Sequence, residues 1–195
     1  MKQTSHFLIG AASSGGGKTT FTTGLLRLFR DRGLNVQPYK CEMAAGNASV
    51  NLDLWLSSQK HVKETYAKYA AAMDVCVTEG VMGLFDGFEG MEGSSAAIAA
   101  LLNIPVVLVI NAKSTSYTVA PILYGFKYFN PSVRLAGVVF NQVASERHYS
   151  FLQKACEDVG VECFGFLPRL KELEVPSRHL GLTLDAVSYT HLTLP

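Results

Sequence analysis

The chain has 195 residues, 48% of them hydrophobic and 17% charged, with a formal net charge of +1. That length and apolar content suit one α/β domain with a buried core and exclude a disordered chain. The near-zero charge argues against a broad electrostatic footprint for nucleic acid or an anionic membrane, and no apolar run reaches the roughly 18 residues of a membrane span.

In chain order, residues 6–11 read as a first strand leading into a glycine loop, not as a signal peptide. Residues 19–32 place Phe21, Leu25, Leu26 and Phe29 near helical spacing and stop at Gly33. A second strand is expected over 35–40, then a helix over 62–73 with Val62, Tyr66, Tyr69 and Met73 on one stripe and lysines opposite. Strand 74–78, helix 94–102, strand 105–111, helix 119–129, strand 135–141, helix 146–159 and strand 162–166 complete the alternation. The runs VVLVI and AGVVF are apolar at every position, as strands covered by helices on both faces are. Alternating strands and helices predict an α/β fold with a mostly parallel sheet in three layers, its chemistry gathered at the carboxyl ends of the strands.

The loop after the first strand carries the sharpest signal. Ala12-Ser13-Ser14-Gly15-Gly16-Gly17-Lys18-Thr19 follows G-x-x-x-x-G-K-[ST], with Ala12 in place of the first glycine. Glycines let successive N–H groups turn toward phosphate oxygens, the lysine reaches the outer phosphates, and the following hydroxyl serves Mg²⁺. Ser14, Gly15, Gly16, Gly17, Lys18, Thr19 and Thr20 are therefore the candidate nucleotide-binding residues, and the fold expected is that of P-loop NTPases. A glycine-rich turn without a ligand explains neither Lys18 nor the two threonines. Partitioning ATPases have a further lysine early in this loop, where Ser13 stands here, which disfavours a nucleotide-switched ATPase of that type.

A nucleotide enzyme needs carboxylates near the outer phosphates. The third strand ends on Thr78-Glu79-Gly80, and Asp86 follows in a glycine-rich loop; Thr19, Glu79 and Asp86 are the candidate metal residues. Lys18, Glu79 and Asp86 are candidate catalytic residues, with a solvated loop as the plainer alternative for the two acids.

Four strings, Gln37-Pro-Tyr-Lys40, Asn51-Leu-Asp53-Leu-Trp55-Leu56, Thr78 through Gly87 (T-E-G-V-M-G-L-F-D-G) and Arg178-His179-Leu-Gly-Leu182, together resemble the cobyrinate a,c-diamide synthases, over roughly residues 6–184. The resemblance implies a fold similar to dethiobiotin synthetase. It also implies a glutamine-hydrolysing amidoligase of cobalamin biosynthesis that uses Mg²⁺ and ATP to phosphorylate side-chain carboxylates of a corrin. Ammonia from glutamine then displaces the phosphate. On that resemblance Lys40, ending the second strand, joins Lys18, Glu79 and Asp86 in the catalytic set by facing the anionic acceptor, with a strand-end surface lysine as the plainer alternative. Asn141 resembles a position that contacts adenine in related folds. A nickel-tetrapyrrole diamide synthase shares these motifs, and a catalytically impaired fragment is a further alternative. The implied partners are a corrin and ammonia or glutamine, with a homodimer possible and neither nucleic acid nor membrane.

The chain departs from the family in two places. After Lys40 the family carries an acidic segment, where Cys41-Glu42 here runs directly into Met43-Ala-Ala-Gly. The family's C-terminal glutaminase domain is not found, and no cysteine sits in a G-x-C-x-G turn. Residues 1–186 are thus expected to form the ATP-binding synthetase domain, and 187–195 read as a non-native tail. Trp55 is expected to line the core or a cleft, His148 to be exposed and structural, His179 to be worth testing, and the run Lys113 to Tyr117 to contact the acceptor or cap the next helix. The four cysteines show no C-x-x-C pair and no metal spacing with histidine, so a reducing cytoplasm is the expected compartment.

Overall fold

The central strands alternate their side chains between two apolar clusters, which is why their sequences show so little polar interruption. The computed structural model describes residues 4–40 and 46–169. Among these residues six strands, β1 (Ser5–Ala11), β2 (Val36–Tyr39), β3 (Val75–Glu79), β4 (Val106–Asn111), β5 (Leu135–Val143) and β6 (Cys163–Pro168), alternate with five helices. These are α1 (Lys18–Asp31), α2 (Gln59–Ala70), α3 (Ser95–Leu102), α4 (Val119–Tyr128) and α5 (Glu146–Val159). All pairings are parallel, in the order β2-β3-β1-β4-β5-β6. The order reverses at β1, so the crevice at its carboxyl end is the place where such sheets take ligands.

Residue parity sorts the core. Leu8, Cys76, Val106, Leu108, Ile110, Val138 and Phe140 face α2, α3, α4 and α5, while Ile9, Ala11, Val75, Val77 and Val109 face α1. Among the described residues the three layers are therefore unequal, with α1 alone on one side. Phe21, Leu25 and Phe29 are only partly buried there, and beyond α1 an open apolar groove of about 350 Å³ runs past Phe7, Val139, Phe164 and Phe166.

Three local expectations change. On α2 the buried row is Val62, Tyr66 and Ala70, the i, i+4 ridge that meets the sheet. Tyr69 lies at its edge, 40% exposed, under the Lys68 ammonium. Trp55 lies in no core: the residue is 65% exposed, its ring edge-on to Phe88 at 4.3 Å between centroids. His148 is half-buried rather than exposed, because Nδ1 accepts from Ala144 N at 3.2 Å and Nε2 donates to Thr115 O. That bond and Tyr117 Oη donating to Asp158 at 2.7 Å tie the 113–117 run to α5. No side chain caps α4, whereas Ser58, Ser94 and Ser145 cap α2, α3 and α5. Among the described residues no helix is long and apolar enough to cross a membrane.

Candidate active site

β1 delivers the chain to the sheet's carboxyl edge, and the following loop turns so tightly that two of its residues lie at positive φ, Gly15 at 70° and Gly17 at 98°. Gly17 is also the N-cap of α1, with no side chain capping it and no acid in the first turn. The first N–H groups of a helix have no intrahelical acceptor. Together with the helix dipole they offer an anion a row of donors. Glycine is required at 17 for a second reason, since a Cβ there would collide with Asn141 Nδ2. That amide donates to Gly16 O at 3.2 Å, and its Oδ1 accepts from Gln142 N at 3.0 Å. Asn141, at the end of β5, thus braces the loop from below. Contact with a base requires it to exchange one of these partners. Ser14 and Gly15 are exposed, Gly16 is buried, and Thr20 is half-buried on the first turn of α1.

Lys18 starts the helix and turns back over the loop. It is buried, and its ammonium donates to Met82 O at 2.5 Å. Burial pushes its pKa below the ordinary lysine value; the negative charge of Glu79 opposes that shift, the positive charge of Lys40 adds to it, and Asp86 opposes it more weakly. Thr19 Oγ1 donates to Glu79 Oε1 at 2.6 Å, joining the first turn of α1 to the last residue of β3. Glu79 is itself buried. Lys40 reaches across from the end of β2 to Gly80 O at 3.4 Å. Asp86 is exposed and accepts from Gly83 N at 2.8 Å, which pins the loop after β3 while leaving its charge within the field of Lys18. Lys18, Thr19, Lys40, Glu79 and Asp86 therefore meet at one edge, although separated by up to 68 residues in sequence.

Backbone strain gathers at the same edge. Lys40 (62°), Met82 (51°), Ser114 (61°) and Gln142 (61°) have positive φ at or just past the carboxyl ends of β2, β3, β4 and β5. Each costs on the order of 1–3 kcal/mol and persists where the surroundings over-determine it. Met82 O and Gly80 O were invisible to sequence reasoning, because a carbonyl acceptor is common to all residues and only the chain path aims it. Ser95 Oγ, which accepts from Val81 N at 2.8 Å and holds the same loop, carried no motif either.

Thr19 and Glu79 supply adjacent hard oxygen donors, the kind Mg²⁺ takes. The described residues contain no group of three or more His, Cys, Asp or Glu able to hold a metal by itself. A two-oxygen anchor suits an ion that keeps waters and shares phosphate oxygens, so the residues present fit Mg²⁺ carried with a nucleotide. Cys41 and Glu42, the motif Arg178 to Leu182 with His179, and the 187–195 tail lie outside the described residues.

A glycine loop from β1 into α1, an inward lysine, and a hydroxyl–carboxylate pair at the switch point of a parallel sheet define a P-loop nucleotide-binding domain. The cell division protein FtsY of Thermotoga maritima has the same fold, with a TM-score of 0.59 at 16% identity over 87% of this chain and 63% of that one. Chloroplast FtsY from Physcomitrella patens gives 0.56 at 15% identity, over 84% and 58%. Residues 7–182 match the CobQ/CobB/MinD/ParA nucleotide binding domain, and the chain belongs to that family. It is 41% identical to a hydrogenobyrinate a,c-diamide synthase of Mycobacterium tuberculosis, over 93% of this chain and 43% of that protein. It is also 42% identical to a cobyrinate a,c-diamide synthase of Caldanaerobacter subterraneus subsp. tengcongensis, over 90% and 41%. The chain spans about two-fifths of the length of these relatives.

Proposed function

We propose that this chain is the ATP-binding synthetase part of an a,c-diamide synthase acting on cobyrinic acid or its cobalt-free counterpart, in cobalamin biosynthesis. The observation that carries the reading is the meeting of Lys18, the Thr19–Glu79 pair and Lys40 at one sheet edge. Phosphate handling and an anionic acceptor are thereby served side by side. The names of the relatives supply the acceptor.

A carboxylate is inert toward ammonia because its carbon is shielded by negative charge and it has no leaving group. Transfer of the γ-phosphoryl group of ATP to a carboxylate oxygen breaks the bond to ADP and makes an acyl phosphate. Ammonia then adds to the acyl carbon, phosphate leaves, and a proton is lost to give the amide. The chain's own task is alignment and charge stabilisation. The amino end of α1 and residues 14–20 hold the phosphates, and Lys18 moves from Met82 O to the outer phosphate oxygens. Thr19 and Glu79 would hold Mg²⁺, with Asp86 in support, and the ion would neutralise charge developing on the transferring group. Lys40 receives the acceptor carboxylate. The ammonia is supplied by glutamine hydrolysis elsewhere in the longer enzyme.

The test is ADP release from Mg·ATP with ammonium as nitrogen source, comparing no acceptor, cobyrinic acid and hydrogenobyrinic acid. Release that depends on either macrocycle is expected, and the better one identifies the acceptor. Equal release in all three sinks the proposal. Equal particle mass by light scattering with and without ATP is also expected, since a partitioning-type switch would dimerise on nucleotide.

A further inference from the structure

The loop that follows β3 touches both lysines of the site through its carbonyls, Met82 O to Lys18 and Gly80 O to Lys40. The same loop carries an apolar surface that the phosphoryl transfer does not use. Val81 and Met82 are 45% and 46% exposed at its start, and Phe88 is 50% exposed at its end against the 65% exposed Trp55. The two aromatic rings stand at 87°, edge to face. In that arrangement each ring keeps at least one face that the other does not cover.

Both aromatic residues are held by their backbones rather than by burial. Asp53 Oδ1 accepts from Trp55 N at 2.7 Å and from Leu56 N at 3.1 Å. Gly87 N donates to Gly90 O at 2.8 Å, and Phe88 N donates to Glu92 O at 3.0 Å. The turn before Phe88 is closed so tightly that a Cβ on Gly87 would collide with Glu92 O. An exposed aromatic pair on a locked backbone is preorganised for a flat apolar surface, since little freedom remains to be lost on contact.

We propose that Trp55 and Phe88 form a platform for the flat face of the tetrapyrrole acceptor, with its carboxylate side chains directed toward Lys40 and the phosphate cradle. The inference rests on the function proposed above. Charge complementarity selects this occupant: a tetrapyrrole carrying several carboxylates is apolar on its faces and anionic at its rim. Phe88 stands on the loop whose other end contacts the two ammonium groups, and Trp55, from the segment between β2 and α2, packs edge-on against it. Trp55 and Phe88 would then set acceptor affinity and orientation without touching the transferred phosphoryl group.

Trp55 is the sole tryptophan of the chain, so its fluorescence lifetime reports this surface alone. Cobyrinic acid should shorten the lifetime saturably, ATP alone should not, and Phe88→Ala should raise the half-saturating concentration by about tenfold or more. In ADP release, Trp55→Ala should raise the half-saturating macrocycle concentration by a similar factor and leave that of ATP unchanged. Trp55→Phe should restore most of the loss. Phe88→Leu and the unfolding midpoint of each variant separate a local effect from misfolding.

The platform is overturned if the lifetime does not respond to the macrocycle, if Phe88→Ala leaves the response unchanged, or if ATP alone produces it. A lifetime that changes with protein concentration alone, with a doubled mass, would assign the surface to a second copy of the chain and overturn it as well. A Phe88-dependent response to the macrocycle, with ADP release indifferent to it, would keep the platform and reject the proposed reaction.

Discussion

Lys18 spends its ammonium on a backbone carbonyl, 2.5 Å from Met82 O, inside a buried site. Removing such a charge from water disfavours the protonated form, and burial is the largest of the influences that hold its pKa below the ordinary 10.5. The sign of the stability effect follows. Between the lowered folded value and 10.5 the unfolded chain binds more protons than the folded one, so stability rises with pH through that window. Below the window the buried charge weakens the fold. Lys18→Met is therefore expected to unfold at a higher temperature than the native chain at neutral pH, with the difference closing as pH approaches 10.5. Melting curves of both proteins across that range check it, and a gap independent of pH contradicts it.

Glu79 stands in a different position, because its carboxylate already accepts from Thr19 at 2.6 Å. Glu79→Gln keeps the shape and can keep that hydrogen bond, but it loses the charge that favours a hard cation. The Mg²⁺ concentration giving half-maximal ADP release should rise about tenfold or more. An unaltered metal titration removes Glu79 from the metal site.

At the scale of elements, the phosphate loop is a junction of two strands and a helix. β1 leads into it, α1 leaves it, and Asn141 from β5 supports it at Gly16. Gly17→Ala would place a methyl group on top of the Asn141 amide and at a φ of 98°, where a side chain is strained. The expected result is loss of ATP binding by about a hundredfold, with far-UV circular dichroism close to that of the native protein. The helix can still form from Thr19 onward, whereas the donors it presents are displaced. Titration of ATP by calorimetry distinguishes this from a global loss of fold.

For the molecule as a whole, one sheet transmits the site to the core. Glu79 ends β3, which pairs with β1 and β2, and β1 pairs with β4. A ligand that binds only the folded chain should therefore stabilise all of it together. ATP with Mg²⁺ at about a hundred times its dissociation constant should add about 2.7 kcal/mol and raise the unfolding temperature. Lys18→Ala should lose that increment while remaining folded. A melting shift equal in both proteins means that the nucleotide binds elsewhere.

The amino-acid sequence by itself determined the alternation of elements and the chemistry of single positions. Every strand and helix of the described chain falls within a few residues of its expected place, because apolar runs and helical spacing are local consequences of burial on a sheet. The phosphate loop was equally legible, since a lysine and a hydroxyl directly after a glycine turn, between strand and helix, have little use without a phosphate to hold. Tertiary structure decided the rest. That among the described residues α1 alone covers one face, that Tyr69 stands at the rim of α2, and that Trp55 lies outside the core depend on which surfaces the folded layers leave open. The partners of Lys18 and Lys40 depend on carbonyls of Met82 and Gly80, whose direction is set by the path of a loop held by Ser95 and Asp86. Side-chain identity records what a residue can do. Which atom it meets is set by contacts between segments far apart in the chain, and no local pattern encodes them.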